Sequence, residues 1–485
     1  MTVPTTSLAE DFGAQGDDAT RARWMALVEK TLKGQSFDDA LTVKTPDGLT
    51  IQPLYTAADG VAVARDLRAR DPERPWDVRV RAAHPDPARV ANDILTDLEG
   101  GAASVLLRID PTGANGVAIG SADDLAKALS GVMLDLAPVA LDAGFLGPKA
   151  ADWLGTLAKA APYAPLAFHL DPLTAFAQTG ASPGPIEGHV FNAATVASRL
   201  AQTYAKASLF LATGRAAHEA GGSNTEELAV MTASALAYAK ALVRSGLTMD
   251  DAFGRIVLGL SLDGEYFTGV AKVRAAKAMW ARLAQACGVE AAPRIEVRSS
   301  RRMLAKADAW TNLLRLTSAG FAGAVGGADV ILLDAFTDAI GLPTAFARRQ
   351  ARNTQLVLME ESNLGRVADP AGGAWYLDSL TDQMARAAWG GFQAIEAAGG
   401  IIKALESGLV ADAVAGTRAA QEAAFADKSR KILGVTAFPN ADDRTPEVER
   451  PDAFSVSAPD VRLPGPDSRC PALTPVRFAA AFEGA

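Results

Sequence analysis

Residues Ala207–Leu262 read ASLFLATGRAAHEAGGSNTEELAVMTASALAYAKALVRSGLTMDDAFGRIVLGLSL. This stretch decides the fold. It opens on the apolar run Ala207–Thr213 and closes on a second one, Arg255–Leu262. Neither alternates cleanly, which is how strands buried on both faces read. Between them, Ser223 is followed three residues later by Glu226, a capping-box pattern, and Gly246 supplies a stop. Leu228, Met231, Ala235, Leu236, Ala239, Leu242 and Val243 fall on one face of the intervening helix, predicted over Asn224–Ser245. Strand, long helix, strand is a parallel βαβ unit.

Similar short runs recur outward from this unit. They are Ser104–Asp110 (SVLLRID), Pro165–Asp171 (PLAFHLD), Arg294–Ser300 (RIEVRSS) and Ala328–Phe336 (ADVILLDAF). At least six units are visible, so an α/β chain forming an eight-unit (β/α)8 barrel of the TIM type is the economical expectation, with an open doubly wound sheet as the rival. Residues 1–100 read as an N-terminal arm. Within it, Thr20–Leu32 suits an amphipathic helix, and Phe37–Tyr55 suits strand and turn, broken by Pro46, Gly48 and Pro53. The barrel is expected over 101–437. Residues 438–485 carry Pro439, Pro446, Pro451, Pro459, Pro464, Pro466, Pro471 and Pro475, and read as an extended linker or wrapping tail.

Composition narrows the function classes. The chain has 485 residues, 49% of them hydrophobic, enough for a sizeable core. Its net charge of −9 and the lack of a Lys/Arg block argue against nucleic acid. The basic clusters at Arg68–Arg70 and Arg298–Arg302 are short and flanked by acids or apolar residues. Cys287 and Cys470 are too far apart, and too far from paired histidines, for a zinc site or a disulfide framework. The N-terminus shows no secretory or transit pattern, and no 18-residue apolar run is present, so the expected home is the cytoplasm.

Active sites of parallel barrels form at the carboxyl ends of the strands. That rule points to Asp110, His169, Asp171, Gly214–His218, Asp263, Ser299 and Asp334. Of the four histidines (His84, His169, His189, His218), His169 and His218 stand at or just beyond strand ends, where an imidazole serves as general acid or base. The plainer readings are a hydrogen-bonded histidine at a barrel mouth and an aspartate capping the next helix. His218-Glu219 lacks the second histidine of a metal-binding His-Glu-x-x-His helix, position 222 being Gly. Gly221-Gly222 before a helix is a weak anion-binding signal. There is no P-loop, no Gly-x-Ser-x-Gly elbow and no Asp-x-His-x-x-Gly cobalamin motif.

Leu342–Thr381 reads LPTAFARRQARNTQLVLMEESNLGRVADPAGGAWYLDSLT. This closely resembles the barrel signature of the adenosylcobalamin-dependent acyl-CoA mutases, with Arg352-Asn-Thr-Gln-Leu, Glu360-Glu-Ser, Arg366-Val and Asp369-Pro in the family's order. Val270–Leu283, Arg74-Pro-Trp-Asp-Val-Arg79 and Ile432–Pro439 are similar to further family segments. The resemblance implies a barrel that threads an acyl-CoA chain along its axis, with cobalamin held by a separate domain and a radical 1,2-rearrangement of methylmalonyl-CoA to succinyl-CoA. Two positions depart from it. Arg81 stands where the family has a tyrosine that presses on the cofactor. Ala216, in Gly214-Arg-Ala-Ala-His-Glu-Ala-Gly221, stands where the family has the histidine that hydrogen-bonds the substrate thioester. Loss of such a donor costs on the order of 10²–10³ in rate.

Arg74, Arg79 and Arg255 match family arginines associated with the CoA chain, and with His169 they are candidate remnants of a substrate site. A retained scaffold with replaced reactive groups, and no cobalamin-binding domain in this chain, implies a small, non-catalytic subunit. It would bind no cofactor itself and pair with a homologous large subunit that carries adenosylcobalamin. The alternative is the catalytic barrel of a split acyl-CoA mutase whose cobalamin domain is a separate polypeptide; Ala216 argues against it. A third reading, an unrelated barrel enzyme using His169, His218 and the strand-end aspartates, rests on the residues alone.

Overall fold

A computed structural model describes residues 18–484. Eight parallel strands close into a barrel: β1 Asp77–Ala82, β2 Ser104–Arg108, β3 Val139–Asp142, β4 Ala167–Leu170, β5 Ser208–Thr213, β6 Ile256–Leu262, β7 Ile295–Ser299 and β8 Val330–Leu332. They pair in chain order, and β8 returns to β1 with Val330 opposite Asp77 and Leu332 opposite Arg79. The open-sheet alternative is thereby excluded.

The barrel starts earlier than the sequence indicated. β1 lies inside the segment expected to be the arm, so the first stave is Asp77–Ala82 and the barrel begins before residue 101. Its sequence, DVRVRA, escapes an apolar-run search because every second residue is charged. β3, VALD, is a second stave that the apolar runs did not single out. Phe37–Leu41, expected as strand and turn, is a short helix capped by Ser36, followed by a small hairpin pairing Val43–Lys44 with Thr50–Ile51. Asp18–Leu32 is helical, as the apolar spacing indicated.

The βαβ unit that opens the reading forms as predicted. The helix Asn224–Arg244 carries both halves of its capping box: Glu226 N donates to Ser223 Oγ, and Ser223 N donates to Glu226 Oε2 at 2.7 Å. Its inner face stacks Tyr238 on Phe210 of β5 with ring centroids 4.4 Å apart. A second layer of helices, Trp375–Ala397, Ile401–Glu406 and Leu409–Ala426, covers this helix; the first of them also packs on Tyr266–Ala286.

The proline-rich tail runs extended around the carboxyl-end face of the barrel. Val456 N bonds Pro111 O, Leu463 N bonds Pro183 O, Leu473 N bonds Ala177 O and Val476 N bonds Glu219 O. Proline suits this path because a segment that pairs with loops rather than a sheet needs few of its own N–H groups. No helix among the described residues is long and apolar enough to cross a membrane.

Candidate functional site

TIM barrels ordinarily fill their interior with branched apolar side chains. Here alternation along the staves turns Leu106, Ala140, Ala167 and Leu332 into one small apolar cluster, and sets ionic groups beside it. Glu296 of β7 is the hub. Its carboxylate accepts from Arg298 Nε at 2.6 Å and from Arg79 of β1. Arg79 also donates to Ser104 Oγ at 2.7 Å and reaches Asp77 at 3.1 Å. Arg298 extends to Asp142 of β3, Nη1 to Oδ2 3.0 Å. In the closed order β7 and β3 are diametrically opposite, so this ion pair crosses the barrel axis.

His169 of β4 adds a third partner to the hub, its Nδ1 3.8 Å from Glu296 Oε2. It stands at a register irregularity with φ +44°, a left-handed conformation uncommon for a side-chain-bearing residue. Burial lowers its pKa to about 3, against the pull of Glu296, so the ring is neutral. Burial also disfavours charge on Glu296, but Arg298 and Arg79 more than offset this and hold its carboxyl well below the usual range.

The second constellation surrounds the end of β5. Gly214 starts the short helix Arg215–Glu219; a Cβ there would collide with the Glu227 carbonyl oxygen. Ala216 is buried, and its methyl group offers no hydrogen bond. His218 is fully buried against the outer helices, Nδ1 3.0 Å from Glu227 Oε2, and Lys272 Nζ reaches the same oxygen at 2.6 Å. Burial lowers His218 to about 4. Burial alone would raise Glu227, but Lys272 and His218 bring it down to about 2. The imidazole two residues from Ala216 is thus committed to a structural ion cluster. Arg302 closes this cluster. It donates to His218 O at 3.0 Å and Gly222 O at 2.7 Å and pairs with Asp263 at 2.9 Å.

At the mouth, Arg81 is gripped by Asp334 (Nε–Oδ1 3.1 Å) and by Asp338, which also pairs with Arg301 at 2.5 Å. The other strand-end residues fill ordinary roles. Asp110 accepts from Thr112 N and Asn115 N in its own turn. Asp171 caps Pro172–Thr179 through Thr174 N and accepts from Tyr238 OH at 2.6 Å; burial raises its pKa to about 6. His84 Nδ1 accepts from Asp86 N, and His189 Nε2 contacts Pro183 O at 2.9 Å. Ser299 donates to Asp334 Oδ2 at 3.4 Å. The glycines Gly221-Gly222 serve packing, their carbonyls accepting from Gln421 and Arg302.

Of the candidate remnants only Arg79 and His169 come together, both on Glu296 Oε2, while Arg255 and Arg74 lie apart from them. Arg79 is consumed by Glu296, Asp77 and Ser104. Arg255 Nη1 donates to the carbonyls of Tyr204 (3.0 Å) and Ala207 (3.3 Å). Arg74 is exposed at the opposite end of the barrel, beside Arg68 and Arg70 in a cleft of about 230 Å³. The forty-residue signature is itself scaffold: Arg352 pairs with Asp97 at 2.6 Å, and Asp369 with Arg274 at 2.8 Å.

Sequence reasoning missed Glu296, Arg298, Asp142, Glu227 and Lys272. The signal was present at i, i+2 in RIEVRSS, where two opposite charges share the inward face of a strand. Among the described residues no group of His, Cys, Asp and Glu is placed to hold a metal ion.

The methylmalonyl-CoA mutase family model matches residues 44–462. A methylmalonyl-CoA mutase small subunit from Streptomyces virginiae is 40% identical over 467 residues, covering 91% of this chain and 73% of the relative. A probable methylmalonyl-CoA mutase small subunit from Mycobacterium tuberculosis is 37% identical, covering 87% and 72%. The small subunit from Propionibacterium freudenreichii subsp. shermanii is 33% identical, covering 93% and 72%. With an eight-stranded barrel, a signature segment locked into its scaffold and a match over most of its length, the chain belongs to the methylmalonyl-CoA mutase family.

Proposed function

We propose that this chain is the non-catalytic small subunit of a heterodimeric methylmalonyl-CoA mutase. The rearrangement of methylmalonyl-CoA to succinyl-CoA takes place on a homologous large subunit that carries adenosylcobalamin, and this chain supports that subunit while binding no cofactor. The observation that carries the reading is the Arg298–Asp142 ion pair across the barrel axis, backed by Glu296 and Arg79. A pantetheine chain threaded along the axis would have to part Arg298, Glu296 and Arg79, all buried, from their partners, and the cost of stranding any one of these three is several kcal/mol.

Two substitutions agree with it. At position 216 a methyl group offers nothing to a thioester oxygen. At position 81 a guanidinium held by two carboxylates does not fit a place that presses on an apolar corrin face. The names of the relatives agree with a partnered chain: each is described as a small subunit.

The test is to purify the chain alone and together with a co-expressed large subunit. Alone it is expected to show no turnover with methylmalonyl-CoA and added adenosylcobalamin. Together the two are expected to run as one cobalamin-loaded species by native mass measurement. Turnover by the isolated chain would overturn the reading.

A further inference from the structure

Beside the closed axis lies a pocket of about 520 Å³, set between the ends of β1 and β2, the loop 112–116 and the tail residues 451–455. Three arginines line it. Arg81 and Arg301 are already paired with Asp334 and Asp338. Arg108, the last residue of β2, is half-buried and makes no hydrogen bond or ion pair through its side chain to any described residue.

The carboxylates around Arg108 are committed elsewhere. Asp110 accepts from its own turn, Asp142 from Arg298, and Asp338 serves two arginines. Asp452, on the tail roof, is exposed and forms no ion pair with Arg108. Arg108 is near enough to Asp142 and Asp110 to help hold their carboxyls below the usual range, but neither is bonded to it, so its N–H donors stay open to an anion in the pocket.

The pocket is also preformed. Arg108 is fixed by its backbone, its carbonyl accepting from Val117 N at 2.8 Å while Ile109 N holds Asp142 O at 2.8 Å. Loop and tail are pressed together where only glycine fits. A Cβ at Gly113 (φ +68°) would strike the Phe454 carbonyl oxygen, and one at Gly116 would strike that of Arg108. Pro85, Leu342 and Phe454 give the cavity apolar walls.

We propose that this mouth pocket binds a small organic oxyanion, a phosphate ester or carboxylate on a compact apolar body, with Arg108 as its charge partner. The site is distinct from the closed axis and does not depend on which subunit turns over.

Calorimetric titration of the full chain at low salt tests it, using phenyl phosphate, benzoate and inorganic phosphate as probes. One saturable site per chain for phenyl phosphate or benzoate is expected, and the preferred head group names the source. Arg108→Gln should weaken it by about tenfold or more, the effect of losing a charge-assisted hydrogen bond. Ala114→Trp, which fills the cavity from its exposed rim, should abolish it; this second variant carries the test if the first fails to fold. No saturation by any probe up to about 10 mM would overturn the proposal. So would an affinity unchanged in either folded variant.

Discussion

Replacing Glu296 with leucine should be among the most damaging single changes available in this barrel. Its carboxylate is 1% exposed and is the shared acceptor of Arg79 and Arg298. Without it, Asp77 still reaches Arg79 and Asp142 still reaches Arg298, but each guanidinium loses its nearest buried counter-charge. Removing one partner of a buried ionic group costs about 3–5 kcal/mol. With an unfolding entropy of about 2 cal/mol/K per residue, a loss of about 4 kcal/mol spread over a chain of this length lowers the thermal midpoint by roughly 4 °C. The triple replacement Arg79→Met, Glu296→Leu, Arg298→Met removes the charges together and should recover most of that loss, because apolar side chains of similar volume replace buried ion pairs at little cost. The assay is the melting midpoint at neutral pH, followed by the intrinsic tryptophan signal, with urea midpoints as a check. A shift below about 1 °C for Glu296→Leu, or a triple variant no more stable than the single one, would show that the hub does not hold the axis closed.

Acid should weaken the fold by a related route. Burial keeps His218 (about 4) and His169 (about 3) below their ordinary 6.5, so the native state refuses protons that the unfolded chain takes up. Their contribution is whole above pH 6.5 and is lost as pH falls from there toward 4, by about 2 kcal/mol per histidine at pH 5. Glu227, lowered to about 2 from 4.5, adds its own loss below pH 4.5. Asp171, raised to about 6, works the other way by a smaller amount, so melting midpoints from pH 7.5 downward should on balance decline below 6.5, and a flat profile to pH 5 would contradict the assignment. Ser223→Ala removes the capping box of Asn224–Arg244 and should cost about 1 kcal/mol in urea unfolding, with no change in partner binding. Gly214→Ala sets a methyl group against the Glu227 carbonyl oxygen and should lower the yield of folded protein far more than Gly254→Ala, where a Cβ meets open space.

The sequence carried most of the barrel and little of what fills it. Strands such as IVLGLSL are legible because both of their faces are buried in apolar surroundings. DVRVRA is not, because burial of its arginines depends on acceptors from other parts of the chain: Ser104 of β2 and Glu296 of β7 for Arg79, and Asp334 and Asp338 beyond β8 for Arg81. The same holds for Glu227 and Lys272, which sit on two different helices and meet only after both pack on β6. Ala216 and Arg81 were visible only against the family pattern. No residue-level rule marks an alanine as a missing histidine, and the geometry then showed that His218 faces another way.

The ionic bridge across the lumen also constrains how the chain can change over generations. A hollow interior would require Glu296, Arg298, Arg79 and Asp142 to give way to small neutral side chains. Each first step strands a charge at a cost comparable to a large share of a domain's total stability. The four positions are therefore coupled: what a substitution at one of them does depends on whether its partner has already changed.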